Sequence, residues 1–365
     1  MSGVYISYPF CTQKCSFCNF ASTVGSDGTR AQYARVLLAE LRAHNWEWSP
    51  ETVYFGGGTP SLMPIGELED LMKAVPADRL REATLECAPG TVTSQKALHW
   101  RHYGINRVSL GVQSFESAEL HQTGRRHTAE TVQNDVQQLR AAGITNINID
   151  LIAGLPEQTT DSWERSLNWI ERLQPPHVSV YLFEIDEDSR LGKEILTGGS
   201  RYGAARVPSD DLAAELYERA LLRLDDMDLE RYEISNFARA GFQSRHNLKY
   251  WRLEPYMGFG LDAHSFDGQR RWSNPDNFAD YFAQCETRKS LRDAATPVDT
   301  SEERFFVGLR LDEGIEPTLA DWRRFARPID KWVRAGMLEI KGSHLRLSER
   351  GVLLSNEIFQ EFIDV

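Results

Sequence analysis

The chain has 365 residues, enough for one large domain and a smaller one, and 41% of them are hydrophobic, ample for a core. Its 41 Lys and Arg against 53 Asp and Glu leave a net charge of −12, which argues against a general nucleic-acid binder. No apolar run approaches the ~20 residues of a bilayer span, Met1 stands too close to Cys11 for a cleavable leader, and five cysteines, three of them clustered, suit a reducing cytoplasm better than a disulfide framework.

In chain order, Val4-Tyr5-Ile6 predicts a first strand that leads into Cys11, Cys15 and Cys18. A helix is expected over 31–44, a strand over 52–55 stopped by Gly56-Gly57-Gly58, and a helix over 65–75. Strands follow at 83–87, 107–110 and 146–151, the last two each preceded by a helical stretch, then a Trp-bearing helix at 162–173 and a strand at 178–181. Strand–helix repetition of this kind means a parallel sheet with helical crossovers, and about six units favour an open or partial (β/α) barrel over a Rossmann sheet. Cys11, the glycine triplet, Glu86, Gln113 and Asp150 all fall at or just past strand C-termini, which form the active face of such a barrel.

Beyond residue 190 the pattern changes. Ser209 caps a helix through about Met227, and 228–300 reads as irregular and aromatic-rich. From Ser301 helices at 302–311, 318–326 and 328–335 precede a hairpin turning at Gly342-Ser343 and a final helix over 352–363. Helices followed by a hairpin suggest a winged helix, but ten Lys and Arg against twelve Asp and Glu make it a structural or docking wing rather than a DNA reader. The expected fold class is therefore α/β: a partial barrel over 1–200, an α+β extension over 201–300 and a winged-helix-like domain over 301–365.

Cys11, Cys15 and Cys18 matter because they are three. Structural zinc closes its tetrahedron with four protein ligands, whereas a cubane iron–sulfur cluster tolerates three thiolates and leaves one iron open. A zinc site completed by a distant His, Asp or Cys is the alternative. Gly56-Gly57-Gly58 removes side chains where a ligand must approach the backbone, or else makes a tight turn before Pro60. Glu86 and Asp150 are ordinary salt-bridged carboxylates by default and acceptors for ribose hydroxyls or an ammonium otherwise. Gln113 can donate and accept, and Arg125 can pair with a carboxylate. His246 offers an imidazole to iron beside Tyr250 and Trp251; by residue type alone it is a core histidine among packing aromatics. His264 is a weaker candidate beside a cofactor or substrate, and His127 reads as structural.

The CxxxCxxC string after a first strand resembles the radical S-adenosylmethionine (SAM) superfamily, in which the methionine moiety chelates the open iron. YFGGGTPSLM, GVQSF, GRRH, NIDLIAGLPEQT and GFG…AHSF are similar to the coproporphyrinogen dehydrogenase (HemN)-like branch over nearly the whole chain. The resemblance implies a [4Fe–4S] cluster on Cys11, Cys15 and Cys18. It also implies S-adenosylmethionine contacts at Tyr5, Phe17, Gly57, Gly58, Thr59, Glu86, Gln113, Arg125 and Asp150. Within the branch, Phe20 stands where the dehydrogenase pattern has a further cysteine, while His246 to Trp251 resembles the HNxxYW motif of the HemW haem-chaperone subgroup, associated there with haem. The implied function is haem binding and delivery to an acceptor protein in the cytoplasm, with a low-potential electron donor such as a flavodoxin or ferredoxin, and no nucleic acid or transmembrane segment. Two enzyme readings stand beside it, an oxygen-independent coproporphyrinogen III oxidase and a class C radical methyltransferase or cyclopropanase, so turnover is left open.

Overall fold

The computed structural model describes residues 3–287 and 295–363; the part of the expected extension at 288–294 lies outside them. Six strands alternate with helices along the first half: β1 (Gly3–Tyr8), β2 (Thr52–Gly57), β3 (Glu82–Cys87), β4 (Arg107–Gln113), β5 (Asn146–Ala153) and β6 (His177–Leu182). Val4, Ile6, Val53, Phe55, Leu85, Val108, Leu110, Ile147, Ile149 and Val178 are all buried, as strands covered on both faces require. The crossover helices are capped by local side chains. Ser26 accepts from the Thr29 amide at 3.1 Å ahead of the helix Asp27–Ala43, and Thr159 with Ser162 forms a capping box for Thr160–Leu173.

The segment expected to be irregular is where the structure departs from the sequence reading. It supplies β7 (Glu230–Glu233), β8 (Asn236–Ala238), β9 (Tyr256–Phe259), β10 (His264–Phe266), β11 (Arg270–Ser273) and, at its end, β12 (Thr296–Pro297). These runs of two to four residues are too short for alternation to declare itself. They join the first six in one twelve-stranded sheet, ordered β12-β11-β10-β9-β1-β2-β3-β4-β5-β6-β8-β7. β9 and β1 to β6 run parallel, and antiparallel strands blunt both ends, so the barrel stays open. Sheet pairing therefore crosses the boundary expected near residue 200.

Glu40 fixes one edge. Its buried carboxylate accepts from the Gly260 amide (2.9 Å), Asn274 Nδ2 (2.9 Å) and the Tyr281 hydroxyl (2.7 Å), tying the first helix to the β9–β11 region. After Thr300, helices Thr300–Val307, Leu319–Arg324 and Ala326–Arg334 precede the hairpin of β13 (Leu338–Lys341) and β14 (His344–Leu347), as expected. The terminal helix is split in two, Glu349–Leu353 and Ser355–Gln360. Phe305, Phe325 and Phe362 form the core of this wing. Among the described residues no helix is long and apolar enough to cross a membrane.

Candidate functional site

A cavity of about 520 Å3 opens where the parallel strands end. Its wall takes Cys11, Cys15 and Cys18 from the loop after β1, Gly57 to Thr59 after β2, Glu86 from β3, Gln113 from β4, Asp150 from β5 and Tyr181 from β6. The volume suits one cofactor-sized ligand.

The cysteine loop is anchored at several points. Cys11 N–H donates to the Thr23 carbonyl (2.9 Å) and Ser16 N–H to the Thr123 carbonyl (3.2 Å). Leu191 N–H donates to the Ser16 carbonyl (2.8 Å), and Gln13 Nε2 to the Gly124 carbonyl (2.8 Å). All three thiols are free, with the Thr59 hydroxyl 3.4 Å from Cys11 Sγ and the Ser22 hydroxyl 3.9 Å from Cys18 Sγ. Burial pushes the Cys11 thiol up.

The glycine triplet has a packing cause as well as a place in the wall. A Cβ on Gly58 would lie 2.8 Å from the Phe10 and Tyr8 backbone, and one on Gly56 would lie 2.9 Å from the Tyr5 ring. Gly58 and Thr59 donate to the Tyr8 and Phe10 carbonyls at 3.0 and 2.8 Å, clamping the chain just ahead of Cys11. Gly57, at φ +101°, holds a conformation that side chains avoid.

Glu86 accepts from the Tyr54 hydroxyl at 2.9 Å and from the Gly57 amide, yet burial and the nearby Asp150 carboxylate raise it to about 7. Asp150 is raised too, by burial first, against hydrogen bonds from Ser109 and Asn148 (Nδ2, 2.6 Å). Across the cavity a β-bulge at Gly111/Gln113, with Gln113 at φ 71°, re-aims the strand end. Arg125 donates to the Gly111 carbonyl at 2.5 Å, while its Nε and the Nε2 of His127 are buried without a hydrogen-bond partner among the described residues. Burial, with Arg125 adjacent, lowers His127 to about 4.

One wall thus holds two carboxylates short of positive charge, and another holds an arginine with donor capacity to spare. An amino-acid moiety, ammonium at one end and carboxylate at the other, satisfies both. Three free thiols at the mouth match a cluster with an open iron. The residues fit the groups that the cysteine motif implies.

Not every sequence candidate meets here. Phe17, Gly57, Gly58, Thr59, Glu86, Gln113, Arg125, Asp150 and the cysteines line this cavity; Tyr5 lines a neighbouring one. His246 reaches neither. It is 1% exposed, with Nδ1 2.8 Å from Thr52 Oγ1 and Nε2 2.8 Å from the Tyr250 hydroxyl, and burial lowers it to about 3. Ligation of iron would require one of those contacts to open. His127, read as structural, does line the cavity, as do Ser109 and Tyr181. Ser109 lies in no motif, and only its strand register opposite Glu86 points to it; Tyr54 opens the YFGGGTPSLM string, but nothing in that string shows that its hydroxyl reaches Glu86.

Comparison with known proteins gives a consistent picture. The family model for the radical SAM superfamily matches residues 5–170, and that for the HemN C-terminal domain matches 295–354. The heme chaperone HemW of Bacillus subtilis is 31% identical, covering 100% of this chain and 99% of the relative. Its counterpart from Synechocystis is 32% identical over 86% of this chain and 79% of its own length. The solved coproporphyrinogen III oxidase (HemN) of Escherichia coli superposes with a TM-score of 0.81 at 20% identity, covering 99% of this chain and 90% of that one, a likeness of fold.

Proposed function

The chain belongs to the HemW family within the radical SAM superfamily, and on that premise we propose that it binds haem and delivers it to acceptor proteins. The full-length similarity to HemW heme chaperones carries this reading. The character of Phe20 supports it. Where the dehydrogenase-like pattern has a cysteine, this chain presents a phenyl ring that is 66% exposed.

In this reading Cys11, Cys15 and Cys18 hold a [4Fe–4S] cluster. Gly57, Gly58 and Thr59, with Glu86, Gln113, Arg125 and Asp150, hold S-adenosylmethionine; Phe17 packs at its margin, and Tyr5 backs Gly57 from the neighbouring cavity. When bound, the cluster supplies one-electron chemistry or a structural anchor for the cofactor. Glu86 and Asp150 receive the cationic end, Arg125 the anionic end, and Phe17 limits water at the thiolates. The unit over 1–200 carries the cofactors, that over 201–300 the haem surface, and that over 301–365 a docking wing. The protein works in the cytoplasm, takes electrons from a flavodoxin or ferredoxin and binds no nucleic acid.

Hemin titration of anaerobically reconstituted protein tests this. A stoichiometric Soret change is expected, with no protoporphyrinogen formed from coproporphyrinogen under reducing conditions. Robust turnover of coproporphyrinogen would make the chain an oxidase instead.

A further inference from the structure

The second cavity, about 380 Å3, adjoins the first across Gly57 and Phe20. Its lining is largely aromatic and apolar, with Tyr5, Phe20, Tyr250 and Tyr256 as its rings, and it also holds Asp262 and His264. The HNxxYW string divides its labour around this cavity. His246 is locked into the core between Thr52 and Tyr250, and Tyr250 turns its ring into the lining. Trp251 faces the other way, under the Arg310 guanidinium at 4.5 Å. The motif thus contributes a buried pin, a wall and a strut to the wing, but no exposed iron ligand.

We propose that this cleft is the haem site, where His264 would supply the donor to iron and His246 is a positioning residue that acts through Tyr250. The inference rests on the haem-chaperone reading above. Haem needs flat apolar surface and one soft donor. Tyr5, Phe20, Tyr250 and Tyr256 offer the surface, and the His264 imidazole, 57% exposed, offers the donor. Its Nε2 lies 3.9 Å from Asp262 Oδ1, too far for a hydrogen bond, so ligation breaks no contact of the kind that holds His246. Burial raises the phenols of Tyr5 and Tyr250, which disfavours a phenolate ligand, whereas imidazole binds iron without ionising. The loop bearing His264 is stiff where it must be. Leu261 N–H donates to the Tyr33 hydroxyl at 3.0 Å, Gly260 N–H to Glu40 at 2.9 Å, and Gly258 N–H to the Ser265 hydroxyl at 2.9 Å.

Hemin titrations of the full-length native protein, His264→Ala and His246→Gln, read by Soret position and affinity, test the assignment. His264→Ala should shift the Soret band and weaken hemin binding by about tenfold or more, since even outer-shell partners of a metal ligand carry that much. Added imidazole should restore the native spectrum. His246→Gln should weaken binding while leaving the band where it is in the native protein. Native spectra in His264→Ala, or loss of the imidazole signature in His246→Gln alone, would overturn the assignment and return the ligand to His246. A native protein that takes up no hemin would overturn the haem reading itself, and this site with it.

Discussion

The two cavities share a wall at Gly57 and Phe20 and differ in almost everything else. The larger gathers thiols, two carboxylates with raised affinity for protons, and an arginine and a histidine each with a nitrogen unpartnered among the described residues. The smaller is walled largely by rings; the Tyr250 hydroxyl is held by His246 and the loop amides by Glu40 and Tyr33, while the exposed His264 imidazole stands 3.9 Å from Asp262. Unmet charge on buried groups points to a ligand with complementary charge, and an aromatic cleft with one exposed imidazole points to a flat apolar one that takes a donor. Position on the fold reinforces the distinction. The polar cavity is built wholly from the first half, whereas the aromatic cleft joins β1 and the loop at Phe20 to β9, β10 and the HNxxYW helix Arg245–Trp251.

The sharpest way to separate the cavities is to empty one. Cys15→Ala should abolish a cluster of about four irons per chain, while the aromatic cleft, which holds none of the three cysteines, should keep its response to hemin; iron and sulfide analysis beside a hemin titration decides. A cluster retained in full would refute the ligand assignment. The shared wall itself can be strained next. Gly58→Ala drives a methyl into the Phe10 and Tyr8 backbone, so denaturant unfolding should show a loss of about 3 kcal/mol. An unchanged midpoint would mean that the clamp ahead of Cys11 gives way easily.

Asp150→Ala should weaken S-adenosylmethionine binding by about tenfold to a hundredfold, the scale of a hydrogen bond to a charged group, with iron content intact. Parallel loss of iron would make Asp150 a structural carboxylate. The smallest effect is a pH slope. Glu86 is raised from 4.5 to about 7, so its contribution to the stability of the ligand-free fold is present below 4.5 and lost as pH rises through about 7. Binding of a cationic ligand should strengthen over the same rise, because the carboxylate ionises. Glu86→Gln should flatten both slopes in thermal melts and in equilibrium binding, and a slope that survives belongs to another group.

The strand–helix half was legible because its strands are long, apolar and bounded by capped helices: β5 reads as a strand without its neighbours. The cluster loop was legible from thiol spacing, and Glu86, Gln113 and Asp150 from their places at strand ends. What escaped was set by tertiary contact. β9 is four residues, Tyr256 to Phe259, with Phe259 between two glycines, and nothing local says that it pairs beside β1. The glycine triplet was read for its ligand, but the approach of Phe10 and Tyr5, distant in sequence, is an equal cause. By residue type His246 reads as a core histidine, and the resemblance of HNxxYW makes it a haem candidate; that Thr52 and Tyr250 occupy both its ring nitrogens is a tertiary fact that no spacing carries.

The placing of β1 between β2 and β9 has a consequence for how the chain is made. Gly3 pairs with Thr52 on one side and Tyr256 on the other, so the first strand synthesised completes its hydrogen bonding only after more than two-thirds of the chain exists. At about 5–20 residues per second, a ribosome needs on the order of ten seconds or longer to cover that interval. Nascent chains arrested before Tyr256 should accordingly leave β1 amides open to hydrogen exchange, and protection there would show that β2 alone suffices. The three cysteines follow β1 directly, so the loop that carries them is made about 240 residues ahead of the strand that completes the support beneath it.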